Sequence, residues 1–98
     1  MVSEETIKHR YAVIEVLDEL ASFLEEKTAE YSAKLDAPYS NDEPTEAELQ
    51  DRASNGYMAV AYSKMHIFTK EYACKYLLET KRMFNRYIYE LKAQLNEY

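Results

Sequence analysis

Apolar residues recur every three or four positions in the first third of the chain, which is the spacing of an amphipathic helix. They form a wide face made of Ile7, Tyr11, Val13, Ile14, Val16, Leu17, Leu20, Ala21, Phe23 and Leu24. Ser3 is a suitable N-cap, and the carboxylates of Glu4 and Glu5 suit the positive end of a helix dipole. We therefore predict a helix over residues 3–35. Its wide apolar face indicates packing against two neighbours rather than one.

A polar segment at residues 36–45 interrupts this pattern and is predicted to reverse the chain. Pro38 and Pro44 each disfavour the α conformation of the residue before them. Thr45 and Glu48 then fit the Thr-x-x-Glu pattern of a capping box, which indicates a new helix start.

The second helical segment is predicted over residues 46–55. Asn55 and Gly56 follow it, and both residue types form the left-handed caps that end helices. A single Gly inside a helix costs only about 1 kcal/mol, so a break and a continuous helix are both compatible with this pair.

Residues 57–96 contain no Gly or Pro and are predicted to form one long helix, about 60 Å at 1.5 Å per residue. Its first half carries a heptad-like apolar row typical of a coiled coil, made of Ala61, Met65, Phe68 and Tyr72. Beyond Lys75 the apolar row moves to another face, with Leu77, Phe84, Ile88, Leu91, Leu95 and Tyr98. Such a helix is longer than a compact domain of this chain length, so other protein surface must cover the part that extends beyond the domain.

These elements predict an all-α fold: an antiparallel helical hairpin, or a small helical bundle with one long C-terminal helix, in a single domain over residues 1–98. We expect oligomerisation to complete it, because a chain of 98 residues buries only a small core. The expected oligomer interface is Phe84, Ile88, Leu91 and Leu95.

Charge divides the chain into an acidic first part and a basic second part. The first 56 residues hold five Lys/Arg and fourteen Asp/Glu, whereas the rest hold seven Lys/Arg and four Glu. The single cysteine, Cys74, cannot form an internal disulfide, which fits a reducing compartment. Since no apolar run approaches the length of a membrane span, we expect a soluble cytoplasmic protein without a membrane partner.

Motifs for catalysis are absent from the sequence: there is no Gly-rich phosphate loop, G-x-S-x-G, H-E-x-x-H or C-x-x-C pattern. We therefore expect no enzyme, no catalytic residue, no metal site and no cofactor. An unusual enzymatic site between subunits, lined by His66 and carboxylates, is a rival interpretation.

The acidic side of the first helix is the predicted recognition surface for a basic protein partner. Its residues are Glu15, Asp18, Glu19, Glu26 and Glu30. This pattern favours a non-enzymatic protein-interaction module, such as a small acidic regulator or inhibitor. The composition resembles that of phage or mobile-element accessory proteins, although no residue pattern assigns a family.

The alternative is a single-stranded nucleic-acid-binding accessory protein. Cations and aromatic rings alternate along the last helix, and such a mixture holds a phosphate backbone and stacked bases. The residues are Lys70, Tyr72, Lys75, Tyr76, Arg82 and Arg86. The same residues also suit packing and charge pairing within a helical hairpin.

Overall fold

The fold consists of two packed helices, described by a computed structural model for residues 2–39 and 42–96. Helix α1 covers Glu4–Asp36 and helix α2 covers Glu46–Asn96. The two helices pack against each other, which confirms the predicted all-α helical hairpin. Within the described residues, neither helix has an apolar stretch sufficient to cross a membrane.

Both helices begin at the predicted caps. The Ser3 hydroxyl accepts a hydrogen bond from the Thr6 amide at 3.1 Å, and the Thr45 hydroxyl accepts one from the Glu48 amide at 3.2 Å. Each bond satisfies an amide that has no partner inside its helix. The helix starts are therefore set by local side chains.

Helix α2 continues without interruption through Gly56, so the separate segments predicted over residues 46–55 and 57–96 are one helix of 51 residues. Gly56 has no positive φ and does not form a left-handed cap. A Cβ built at Gly56 would lie 3.8 Å from Leu35 Cδ2, an ordinary contact distance. The glycine is thus an ordinary helical residue that lies opposite the end of α1.

The chain divides into two compact units, and each contains a segment of both helices. We call residues 1–19 and 70–98 the terminal unit, and residues 20–69 the loop unit. The loop unit includes the start of the connection: Arg52 of α2 donates a hydrogen bond to the carbonyl of Ala37, and its guanidinium lies 3.9 Å from the centre of the Tyr39 ring. The first residues of the predicted loop are therefore anchored to α2, while Ser40 and Asn41 lie outside the described residues.

The least exposed positions of α1 follow a heptad spacing. In the terminal unit they include Ile7, Arg10, Ile14 and Leu17, and in the loop unit Ala21, Leu24, Thr28, Tyr31 and Leu35. This row accounts for only part of the wide apolar face, because Val16, Leu20 and Phe23 remain exposed.

Helix α2 contributes a different row from the one predicted. Ala61, Met65, Phe68 and Tyr72 are all exposed, so the heptad-like row predicted in its first half does not pack against α1. The less exposed row consists of Asn55, Ala59, Tyr62, His66 and Thr69 in the loop unit and Ala73, Tyr76, Thr80, Met83, Tyr87 and Glu90 in the terminal unit. Contacts with α1 hold this row: Tyr62 stacks with Tyr31 in the loop unit, and Tyr76 and Thr80 engage Arg10 in the terminal unit.

Candidate protein-interaction surfaces

The terminal unit is held by a polar cluster around Arg10, whose side chain is 15 % exposed. Arg10 Nε donates to the Thr80 hydroxyl at 2.9 Å, and its guanidinium lies 3.8 Å from the centre of the Tyr76 ring. Arg10 Nη2 lies 3.3 Å from a carboxylate oxygen of Glu79 and donates to the Tyr76 carbonyl at 3.4 Å. Thr80 is fully buried and donates its own hydroxyl to the same carbonyl at 2.8 Å. Such a directional cluster holds the register of the two helix segments.

An open apolar groove of about 430 Å³ lies in the terminal unit. Its apolar lining is Ile7, Tyr11, Ala12, Phe84 and Tyr87, with Glu4, Lys8 and Glu15 also lining it. The charges of Glu4 and Lys8 cancel, since these side chains form an ion pair at 3.1 Å.

Among the predicted oligomer residues, Phe84 lines this groove. The other three, Ile88, Leu91 and Leu95, follow Phe84 along α2. Phe84, Leu91 and Leu95 are exposed, and Ile88 is half-buried. Their spacing of four, three and four residues places them on one side of the helix. Their role in self-association remains a prediction.

The predicted acidic surface is exposed throughout but divided between the units. Glu15, Asp18 and Glu19 belong to the terminal unit, and Glu26 and Glu30 to the loop unit. Of the five, only Glu30 forms an ion pair with another described residue.

Glu30 lies between two lysines of its own helix. Lys27 Nζ donates to it at 3.1 Å and Lys34 Nζ lies 3.7 Å from it. The hydrogen bond and the charge of Lys27 lower the pKa of the Glu30 carboxyl, and the same hydrogen bond raises the pKa of Lys27. Glu30 is therefore already neutralised by its neighbours and is the least available of the predicted contact residues.

The surplus negative charge belongs mainly to the loop unit. This unit has nine Asp/Glu and four Lys/Arg, whereas the terminal unit has nine Asp/Glu and eight Lys/Arg. Seven exposed carboxylates of the loop unit form no ion pair within the described residues: Glu25, Glu26, Asp36, Asp42, Glu43, Glu46 and Asp51. Three of its four cations are already engaged, because Lys27 and Lys34 contact Glu30 and Arg52 contacts the connection, whereas Lys64 is exposed and forms no ion pair with a described residue.

Small side chains open a second groove in the loop unit. One part has about 540 Å³ and is lined by Leu35, Ala53, Gly56, Tyr57, Ala59 and Val60. The adjoining part has about 390 Å³ and is lined by Thr28, Ser32, Ala59, Val60, Ser63 and Lys64. Since both parts share Ala59 and Val60, they form one groove between α1 and α2. The spacing of Ala53, Gly56 and Ala59 is the signal that sequence reasoning missed.

The residues of the nucleic-acid alternative do not form one free surface. Tyr76 lies under Arg10 and stacks with Tyr72 at a centroid distance of 6.0 Å. Arg86 pairs with Glu90 at 3.4 Å. Lys70, Lys75 and Arg82 are exposed and form no ion pair with a described residue.

Candidate catalytic or metal-binding groups are dispersed. In the described parts of the chain, no three His, Cys, Asp or Glu residues are close enough to hold a metal ion. The grooves described above are not lined by His66, which is half-buried on the inner row of α2, and its Nε2 has no hydrogen-bond partner among the described residues. Cys74 is an exposed free thiol.

Comparisons with known proteins give no further guide to function. No protein-family model matches the chain, and neither the curated proteins nor the solved structures contain a significant match. The candidate surfaces therefore rest on their own geometry and charge.

Proposed function

We propose that this chain is a non-enzymatic protein-interaction module that binds a basic amphipathic helix of a partner protein in the groove of the loop unit. The observation that carries the proposal is the concentration of unpaired carboxylates in the unit that also contains this groove. A partner helix with Lys and Arg on one side and aliphatic residues on the other matches both features: its cations pair with the carboxylates, and its aliphatic side chains enter the groove.

The groove suits a helix because its floor is made of small residues. Ala53, Gly56 and Ala59 on α2, together with Ser32 on α1, leave space for aliphatic side chains of the partner. Burying those side chains supplies binding energy of about 25 cal/mol for each Å² of apolar surface removed from water.

The unpaired carboxylates orient the partner helix and increase its association rate. Helical spacing places Glu25 and Asp36 on the same side of α1 as Ser32, seven residues before it and four residues after it. Unpaired charges of this kind steer a cationic partner over a Debye length of about 8 Å at physiological salt. We expect the association rate to fall as salt rises, whereas the apolar contacts in the groove limit dissociation.

Two fluorescent peptides of equal charge test the proposal. The first is an amphipathic helix of Leu and Lys, and the second replaces each Leu with Gln. Fluorescence anisotropy should show that the chain binds the Leu/Lys peptide more tightly, with the difference persisting at high salt. Equal affinity for both peptides would show that the groove contributes nothing.

Matched variants then separate the contribution of the groove's shape to peptide binding from that of charge. Ala53→Phe fills the groove without changing charge and should weaken binding of the Leu/Lys peptide about tenfold, which corresponds to about 1.4 kcal/mol. Ala61→Phe is the control, because Ala61 is also exposed on α2 of the loop unit but does not line the groove. Equal losses in both variants would contradict the proposed site.

Two charge-reversal variants provide a second matched comparison. Glu25→Lys with Asp36→Lys should slow association at low salt. The control pair, Glu5→Lys with Glu71→Lys, makes the same change in net charge within the terminal unit and should slow association less. A labelled single-stranded oligonucleotide is included for comparison, and if it binds better than either peptide, the nucleic-acid alternative replaces this proposal.

A further inference from the structure

The described residues leave half of their large apolar side chains exposed to water. Among residues 2–39 and 42–96, only Ile7, Ala21, Leu24 and Ala59 are buried hydrophobic residues, while sixteen large hydrophobic side chains are exposed. Burial of this extent is small against the entropy of ordering two long helices, so covering the exposed apolar residues with a further surface would stabilise the chain.

The accessible area indicates how large that surface is. The chain exposes 7727 Å², about 1,900 Å² more than a compact monomer of the same mass. Obligate homodimers bury roughly 1,000 to 2,500 Å² on each subunit. The surplus is therefore of the size that one second copy covers.

Charge decides which unit a second copy can approach. Two loop units would bring together two surfaces with nine acidic and four basic residues each, and like charges repel. The terminal unit has nine acidic and eight basic residues, so two copies meet without this repulsion.

We infer that a second copy of this chain docks on the terminal unit, over the groove formed by Ile7, Tyr11 and Phe84 and the adjoining row of Ile88, Leu91 and Leu95. This row provides a continuous apolar edge, and Leu95 is 74 % exposed. The inference is independent of the proposed function, because the basic partner is assigned to the loop unit.

The edges of this surface carry opposite charges, which suits a self-complementary interface. Glu15 lines the groove from α1, and Lys81 lies one turn before Phe84 on the row of α2. Both are exposed and form no ion pair with a described residue. In a two-fold dimer the same patch meets itself, so the acidic edge of one copy can face the basic edge of the other.

Sedimentation equilibrium of the full chain tests the inference. The wild type should have twice the 11.6 kDa mass of one chain at micromolar concentration. Leu95→Asp should raise the dimer dissociation constant by more than about 100-fold, since it places an unpaired charge in an apolar interface. This variant should keep its helical circular dichroism, because Leu95 makes little contact within its own chain.

Val60→Asp is the matched control, because Val60 is an exposed apolar residue of the loop unit. It should remain a dimer. A second variant, Leu91→Asp, should dissociate in the same way as Leu95→Asp. A folded wild-type monomer at these concentrations overturns the inference, and so does a dimer that only Val60→Asp dissociates.

Discussion

The terminal unit and the loop unit are built from the same two helices but differ in what holds them and in what they expose. The terminal unit contains the directional cluster of Arg10, Tyr76 and Thr80 and has almost balanced charge. The loop unit contains small and apolar contacts, a stacked Tyr31–Tyr62 pair at 5.6 Å and a surplus of carboxylates. One hairpin thus presents two candidate surfaces, because charge and packing vary along its length.

The first test of this difference removes apolar packing from the loop unit. Leu24 is buried, so Leu24→Ala should lower the free energy of unfolding by about 3 kcal/mol through lost transfer energy and the cavity left behind. Chemical denaturation followed by circular dichroism, at one fixed protein concentration, measures the change. Leu49→Ala is an exposed control in the same unit and should lose less than about 1 kcal/mol. Equal losses would show that Leu24 is not a core residue.

The second test removes the polar cluster of the terminal unit. Arg10→Met keeps an apolar stem but loses the hydrogen bonds and the stacking on Tyr76, and should cost about 2 kcal/mol. A double-mutant cycle with Thr80→Val should show non-additive losses, because Arg10 and Thr80 are direct partners. Additive losses would mean that the two side chains do not interact in solution.

The third test concerns the continuity of α2 in the loop unit. Gly56→Ala should stabilise the chain by about 1 kcal/mol, since Gly56 is helical and its added Cβ meets Leu35 at an ordinary distance. Ala61→Gly is the reverse change at an exposed position of the same helix and should destabilise by a similar amount. Destabilisation by Gly56→Ala would show that the helix breaks there after all.

The smallest expected effect concerns the Lys27–Glu30 pair on the surface of the loop unit. The pKa of Glu30 is lowered from its ordinary 4.5, so its contribution is fully present above pH 4.5 and disappears as pH falls through the lowered value. The pKa of Lys27 is raised from 10.5, so the contribution also disappears as pH rises above 10.5 through the raised value.

Unfolding free energies measured across this pH range should therefore differ between wild type and Glu30→Gln only between these limits, and high salt should reduce the difference. Glu26→Gln is the control, because Glu26 forms no ion pair with a described residue. A difference that persists at pH 2 would exclude the ion pair as its cause.

The sequence by itself determined the features that depend on neighbouring residues. The helix starts follow from the hydroxyls of Ser3 and Thr45, which bond amides three residues later. The polar connection follows from the two prolines and from the turn-forming polar residues between the helices. These are local interactions, and a chain with one Gly offers few competing turns.

Tertiary structure decided which face of α2 packs against α1. Apolar residues occur on several sides of this helix, so its own periodicity supports more than one inner row. The choice depends on the opposing helix: Arg10 engages Tyr76 and Thr80, and Tyr31 stacks with Tyr62. These interactions join residues up to 70 positions apart in sequence, and no local pattern contains them. The same choice leaves Phe68 and Leu95 in water and creates both candidate surfaces.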